Sequence, residues 1–186
     1  MSRPVYGLDL SLTGTAIATP NSTHRIHTPG HNGDPVTVRA DRIDRILDWV
    51  ATTIPTPTLG PPVPRSLVVV EAPSYGSTGG QAHERAGLWW AAVGWLLRCG
   101  AEVVDIAPGT LKKFATGSGN AQKPDMRMAL YKRAGIDEPD DNQVDAWWLR
   151  QIGLYLLGDP TAVQLPKTHT DGVDRLVATG KIQVAA

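Results

Sequence analysis

The run SLVVVE at residues 66–71 sets four apolar residues in succession, three of them valine, and closes them with an acid. A strand with one wet face alternates apolar and polar positions. This one does not, so it reads as a central strand covered on both faces. A chain that carries such a strand must supply a sheet around it and helices over it. The 186 residues suffice for one domain at about 150 residues per domain, with a core that needs no disulfide or metal staple.

The remaining segments fit that demand. Residues 5–10 read as a short buried strand, 15–19 as a second and 23–27 as a weaker third, joined by short turns as in an antiparallel meander. Residues 36–54 have helical spacing, with Val38, Ile43, Ile46, Leu47 and Val50 near one face and Arg39, Arg42 and Asp48 elsewhere. The proline-rich stretch PTPTLGPPVP then halts regular structure. Residues 79–99 form a long apolar helix carrying Trp89, Trp90 and Trp95; 102–106 is a strand, and Pro108 opens a helix. Residues 112–122 read as a glycine-containing loop, and 124–134 and 141–157 as helices. The expected order is β-β-β-α-β-α-β-α-α, an α/β fold with a mixed sheet flanked by helices. Residues 1–158 make the domain, and 159–186, polar and weakly patterned, are expected to be a peripheral tail.

Composition removes several classes. Apolar residues at 41% exclude a mostly disordered chain. The most apolar stretch, 87–97, is about half the length of a membrane span, and MSRPVYGLDL lacks the features of a signal peptide. The single cysteine, Cys99, excludes an internal disulfide and a cysteine-built metal site, which fits a reducing cytoplasm. Eighteen basic and eighteen acidic residues cancel, which argues against a nonspecific basic coat for nucleic acid. The charges are nevertheless segregated. Residues 112–133 hold Lys112, Lys113, Lys123, Arg127, Lys132 and Arg133 against Asp125 alone, and 136–145 hold five acids and no base. A basic block beside an acidic one suits a protein that holds phosphates near a metal.

Three acids stand where burial makes them costly. Asp9 and Glu71 end apolar strands, and Asp145 lies past the first turn of the last helix, on one face with Asp141 and Asn142. Asp9 could instead cap the 11–14 turn, while Asp140 and Asp141 fit helix capping well. Hard oxygen donors that converge bind Mg²⁺ or Mn²⁺ rather than zinc. Two such ions about 4 Å apart can activate water and stabilise the leaving oxygen in phosphodiester cleavage.

GLDLSLTGTAIA, VVVEAPSYG, the segment from Lys112 to Lys123, and NQVDAWWL together resemble the RuvC family of Holliday-junction resolvases, within the ribonuclease-H-like superfamily. The resemblance runs over about residues 5–157, and the compact length suggests a phage or prophage member, acting in the bacterial host cytoplasm. It implies a ribonuclease-H-like five-stranded sheet, three antiparallel strands followed by parallel ones. It also implies a metal-dependent endonuclease that cuts four-way DNA junctions by paired symmetric nicks, leaving 5′-phosphate and 3′-hydroxyl ends. Asp9, Glu71 and Asp145 match the metal carboxylates. The position three before Asp145, an acid or histidine in the family, is Asn142 here, so the fourth ligand falls to Asn142 or Asp141. Lys112 and Lys123 match basic positions near the scissile phosphate, and Lys113 and Arg127 are expected to add backbone contacts. Gly117 and Gly119 would admit close approach of a phosphate, and Tyr75 is the candidate for stacking at the crossover. The helix with Trp89, Trp90 and Trp95 resembles the family's dimer helix, which implies a homodimer with one active site per strand.

Two other readings compete. A related nuclease acting on flaps, branched DNA or RNA would share the catalytic core. A junction-binding protein with a degenerate site would be marked by Asn142. D-x-S-x-T-G-x-A also resembles the phosphate loop of actin-like sugar kinases, but those need a second lobe that 186 residues cannot supply.

Overall fold

The computed structural model describes residues 3–55, 65–73 and 81–184. The strands are β1 (Val5–Asp9), β2 (Ala16–Ala18), β3 (Thr23–Arg25), β4 (Leu67–Glu71) and β5 (Glu102–Ile106). The helices are α1 (Val36–Thr53), α2 (Ala82–Arg98), α3 (Pro108–Thr116), α4 (Lys123–Ala134), α5 (Asp141–Leu156) and α6 (Lys167–Ala178). The sheet order is β3-β2-β1-β4-β5. β1, β2 and β3 pair antiparallel, and β4 and β5 add parallel to β1. This is the mixed five-stranded, helix-flanked sheet expected above.

The period-two alternation of the strands divides the core in two. Val5, Leu67, Val69, Val104 and Ile106 face α3, α4, α5 and α6. Tyr6, Leu8, Val68 and Val70 face α1 and α2. Leu67 to Val70 are fully buried, so β4 is the covered central strand that its unalternating sequence requires.

α5 lies almost directly on β1 and β2 because the contact residues are small. Ala16, Ala18 and Ala146 form a buried cluster of their own. A Cβ on Gly7 would stand 2.0 Å from the Ala146 carbonyl oxygen and 2.5 Å from the Arg150 amide nitrogen. At the other end of the contact, a Cβ on Gly153 would stand 2.5 Å from Val5 Cγ1. Glycine is needed at both positions for close approach, not for backbone conformation. The two ends fix the direction: α5 runs antiparallel to β1, with its N-terminus over the Asp9 end.

Four expectations are corrected. Lys112 and Lys113 lie on α3 rather than in a loop, because Leu111, Phe114 and Ala115 form a buried stripe that continues the helix to Thr116. Gly117, with φ of 87°, ends it. The segment after Gly158 is not peripheral: it forms α6, and Val173 and Ile182 join the same core as Trp148. Its pattern is sparse because polar groups do part of the packing; Tyr155 Oη donates to Asp174 Oδ1 at 2.7 Å, and Thr170 Oγ1 donates to Asp174 Oδ2 at 3.1 Å. Among the described residues four helices therefore follow β5, not the two of the expected order. Finally, Arg42, set apart from the apolar face of α1 by its sequence, is buried. Among the described residues no helix is long and apolar enough to cross a membrane.

Candidate active site

Asp9 ends β1 and Glu71 ends β4. The parallel register pairs Leu8 with Val70, so the next step sets the two acids side by side. Leu8 and Val70 face α1 and α2, so alternation turns Asp9 and Glu71 to the other face, toward α5. Asp145, one turn inside α5, arrives over the same edge because Gly7 brings that helix down onto β1. Three chain segments thus deliver three carboxylates to one sheet edge.

Their electrostatics record the meeting. Asp9, 7% exposed, has its pKa raised well above the ordinary carboxylate value, first by burial and then by the charges of Glu71, Asp145 and Asp140. Burial and then Asp145 raise Glu71 to about 7. Burial and then Asp141 raise Asp145 to about 6. Among the described residues none of the three carboxylates accepts a hydrogen bond or forms an ion pair. Asp9 is not used as a turn cap. Thr15 holds the 11–14 turn instead: its hydroxyl accepts the Ser11 amide at 3.1 Å and donates to the Ser11 carbonyl at 2.7 Å.

The cations come from α3 and α4. Lys112 and Lys123 both act against the raised pKa of Asp145, Lys112 against that of Glu71, and Lys123 against that of Asp9. Lys123 Nζ is 2.9 Å from Asp141 Oδ2. The other oxygen of Asp141 accepts from Arg127 Nε at 2.8 Å and Nη2 at 2.7 Å. Asp141 is therefore turned toward two cations, and Arg127 is committed to it. Asn142 packs its amide against the 11–14 turn, 2.7 Å from where a Gly14 Cβ would be. Lys113, the next residue round α3 from Lys112, is not among the cations that bear on the three carboxylates. Tyr75 lies outside the described residues.

Two residues that sequence reading did not place here complete the edge. Asp140 caps α5, accepting the Gln143 amide at 3.0 Å, and pairs with Arg25 of β3 at 2.7 Å. The capping role of Asp140 was legible; Arg25, in a short exposed strand, gave no signal.

As they stand, no three His, Cys, Asp or Glu side chains among the described residues are gathered closely enough to hold a metal ion. The chemistry of the donors nevertheless fits a hard divalent cation: three carboxylates, free of protein hydrogen bonds, that repel one another on one buried edge. Burial first, and neighbouring charge second, make the pH dependence of stability unusual in sign. Glu71 and Asp145 have folded pKa values raised from 4.5 and 3.8 to about 7 and about 6. Between about pH 4 and 7 the folded state therefore holds more protons than the unfolded state, and stability falls as pH rises. Without divalent ions, unfolding followed by denaturant should give a loss on the order of a few kcal/mol across that window, chiefly from burial of the two carboxylates. A stability that rose from pH 5 to pH 7.5 would contradict this electrostatic picture.

No family model and no curated protein matches the chain. Solved structures do. Thermus thermophilus RuvC superposes with a TM-score of 0.57 at 18% identity, covering 87% of this chain and 99% of that one. T. thermophilus RuvC in complex with a Holliday junction substrate superposes with a TM-score of 0.58 at 17% identity, covering 85% of this chain and 98% of that one. At such identity the likeness is one of fold: this chain has the ribonuclease-H-like architecture of RuvC.

Proposed function

We propose that the protein is a metal-dependent, structure-selective DNA endonuclease that resolves four-way junctions by paired symmetric nicks. The observation that carries this reading is the convergence of Asp9, Glu71 and Asp145, without protein partners, on a sheet edge flanked by Lys112 and Lys123. The three carboxylates would hold Mg²⁺, or Mn²⁺ in its place, with Asn142 the less committed candidate for a fourth oxygen because Asp141 is held by Lys123 and Arg127. When bound, such ions supply an activated water and a stabilised leaving oxygen for in-line cleavage to 5′-phosphate and 3′-hydroxyl ends. Lys112, which has no ion pair among the described residues, offsets charge on the phosphate. Lys123 is aimed at the same edge by Asp141, and Arg127 fixes Asp141 in turn.

The paired cuts require two active sites, and α2 offers a surface for a second copy. Gly87, Trp90, Gly94 and Leu97 follow one another at heptad-like spacing along its outer stripe, with Trp90 68% and Leu97 54% exposed. Large residues alternate with glycines, so the stripe is complementary to itself in a twofold arrangement. Leu97→Glu should shift sedimentation at micromolar concentration from dimer to monomer and turn paired nicks into single ones. An unchanged sedimentation profile would remove α2 as the interface.

The deciding experiment incubates a labelled four-way junction, a flap and an RNA–DNA hybrid with protein and Mg²⁺, beside chelator controls. Paired, metal-dependent nicks in the junction support the proposal. Cutting of only the flap or hybrid keeps the metal site and changes the substrate. Tight junction binding with no cutting in Mg²⁺ or Mn²⁺ favours the degenerate binding protein, for which the uncharged Asn142 is the structural argument.

A further inference from the structure

We infer that the α1–α2 seam is an anion site that receives a backbone phosphate beside the carboxylate edge. Arg42 is 3% exposed, yet none of its three guanidinium nitrogens has a hydrogen-bond partner. Arg39 Nε and Gln81 Nε2 are buried and unpartnered as well. These are all the buried, unpartnered side-chain nitrogens and oxygens among the described residues; every one is a donor, and all lie on α1 or at the start of α2. A buried guanidinium without an acceptor is costly. A phosphate oxyanion satisfies several donors at once, and the planar fork of arginine matches it in two-point fashion.

The charge around the seam supports the same occupant. Arg39 is neutralised by an ion pair with Glu84 of α2. Among the described residues Arg42 is not in an ion pair. The acid beside it is Asp34, whose Oδ2 accepts the His31 amide at 2.6 Å. Both flank Gly30, where a Cβ would stand 2.0 Å from Arg42 Nη1 and 3.1 Å from Asp34 Oδ2. α1 begins with neither a side-chain cap nor an acid in its first turn, so its dipole adds to the positive field.

The position is what ties the site to nucleic acid. Thr28 Oγ1 donates to the Leu12 carbonyl at 2.8 Å, fastening the β3–α1 connection to the turn that follows Asp9. Trp89 Nε1 donates to the Glu71 carbonyl at 2.9 Å, fastening α2 to the end of β4. The seam therefore lies on the α1–α2 side of the carboxylates, and Lys112 and Lys123 lie on the other. A strand laid across Asp9, Glu71 and Asp145 meets cations on both sides. A phosphate enters by displacing the turn at residues 30–34, with Asp34 as its competitor. The choice of a nucleic-acid phosphate rests on the nuclease reading; the anion site itself does not.

The test uses the full chain without divalent metal and scores no cleavage, so it fails or succeeds apart from the nuclease reading. Thermal unfolding is followed against inorganic phosphate at constant ionic strength for the wild type, Arg42→Met and Asp34→Asn. Removing a buried unpaired charge leaves Arg42→Met at least as stable as the parent, but its phosphate-dependent rise in Tm should be lost, and that of Asp34→Asn should exceed the parent's. In junction binding, the slope of log K against log salt should be shallower by about one for Arg42→Met, with affinity about tenfold lower at low salt. Equal phosphate responses in all three proteins would overturn the site. A lost phosphate response with an unchanged salt slope would make the ligand a free phosphate and overturn the nucleic-acid assignment.

Discussion

Asp9→Asn should lower junction cleavage by at least about 10³-fold while leaving junction affinity within about threefold. The two readouts separate because they rest on different groups. On the proposed reading, cleavage would need the charge of a buried carboxylate at the end of β1, next to Glu71 and under Asp145. Affinity would rest on cations around that edge, none of which, among the described residues, pairs with Asp9. The same substitution should raise stability. The Asp9 pKa is raised because its ionised form is disfavoured by burial and by neighbouring acids. An amide of the same shape removes that cost, so Asp9→Asn should unfold at higher temperature than the parent at pH 8 without divalent ions. The advantage should shrink as pH falls and the parent carboxylate takes up its proton. A variant that cut at the normal rate, or lost stability at pH 8, would remove Asp9 from the site.

Gly7→Ala should be as damaging from a position with no chemistry of its own. The new Cβ would stand 2.0 Å from the Ala146 carbonyl oxygen, and neither partner is a flexible side chain that can turn away. α5 must lift from β1, at a cost of about 3 kcal/mol, which lowers Tm by roughly 6–12 °C for a chain of this size. Asp145 adjoins Ala146, so it leaves the edge with the helix. A displacement of about an ångström at reacting groups costs about 10²-fold in rate. Circular dichroism and the junction assay would check both, and a Gly7→Ala protein with parental Tm would refute the α5–β1 contact.

The parts of this fold that were legible share one property: they are paid for locally. The unalternating run of β4, the acids ending β1 and β4, and the acid set one turn into α5 each violate a rule of burial within a few residues, and the violation marks the place. What escaped notice depends on contacts between distant segments. Gly7 reads as a weak position in a strand until α5 lies on it. α3 is legible at its start, Pro108, but from Lys112 onward it looks like loop, because its buried Phe114 and Ala115 follow two lysines. α6 spaces its apolar residues too thinly to stand out, since Tyr155 and Asp174 share the packing through a hydrogen bond. Arg42 looks like a wet residue on an amphipathic helix, but it is buried, with the chain at Gly30 passing close against it. Asp141 reads equally as cap or ligand, and two cations on α4 decide where it turns.

Trp89 and Trp90 are neighbours on α2 with opposite duties. One holds the Glu71 carbonyl at 2.9 Å, the other is 68% exposed, and their rings meet edge to face at 4.8 Å. The outer wall of the molecule is thus one peptide bond and one hydrogen bond from the strand end that carries Glu71. Whatever leans on Trp90 from outside also loads the ring that steadies Glu71. Leu97, two turns further along, bears no such load, so loss of partnership and loss of posture at Glu71 can be told apart by where on α2 the chain is cut back.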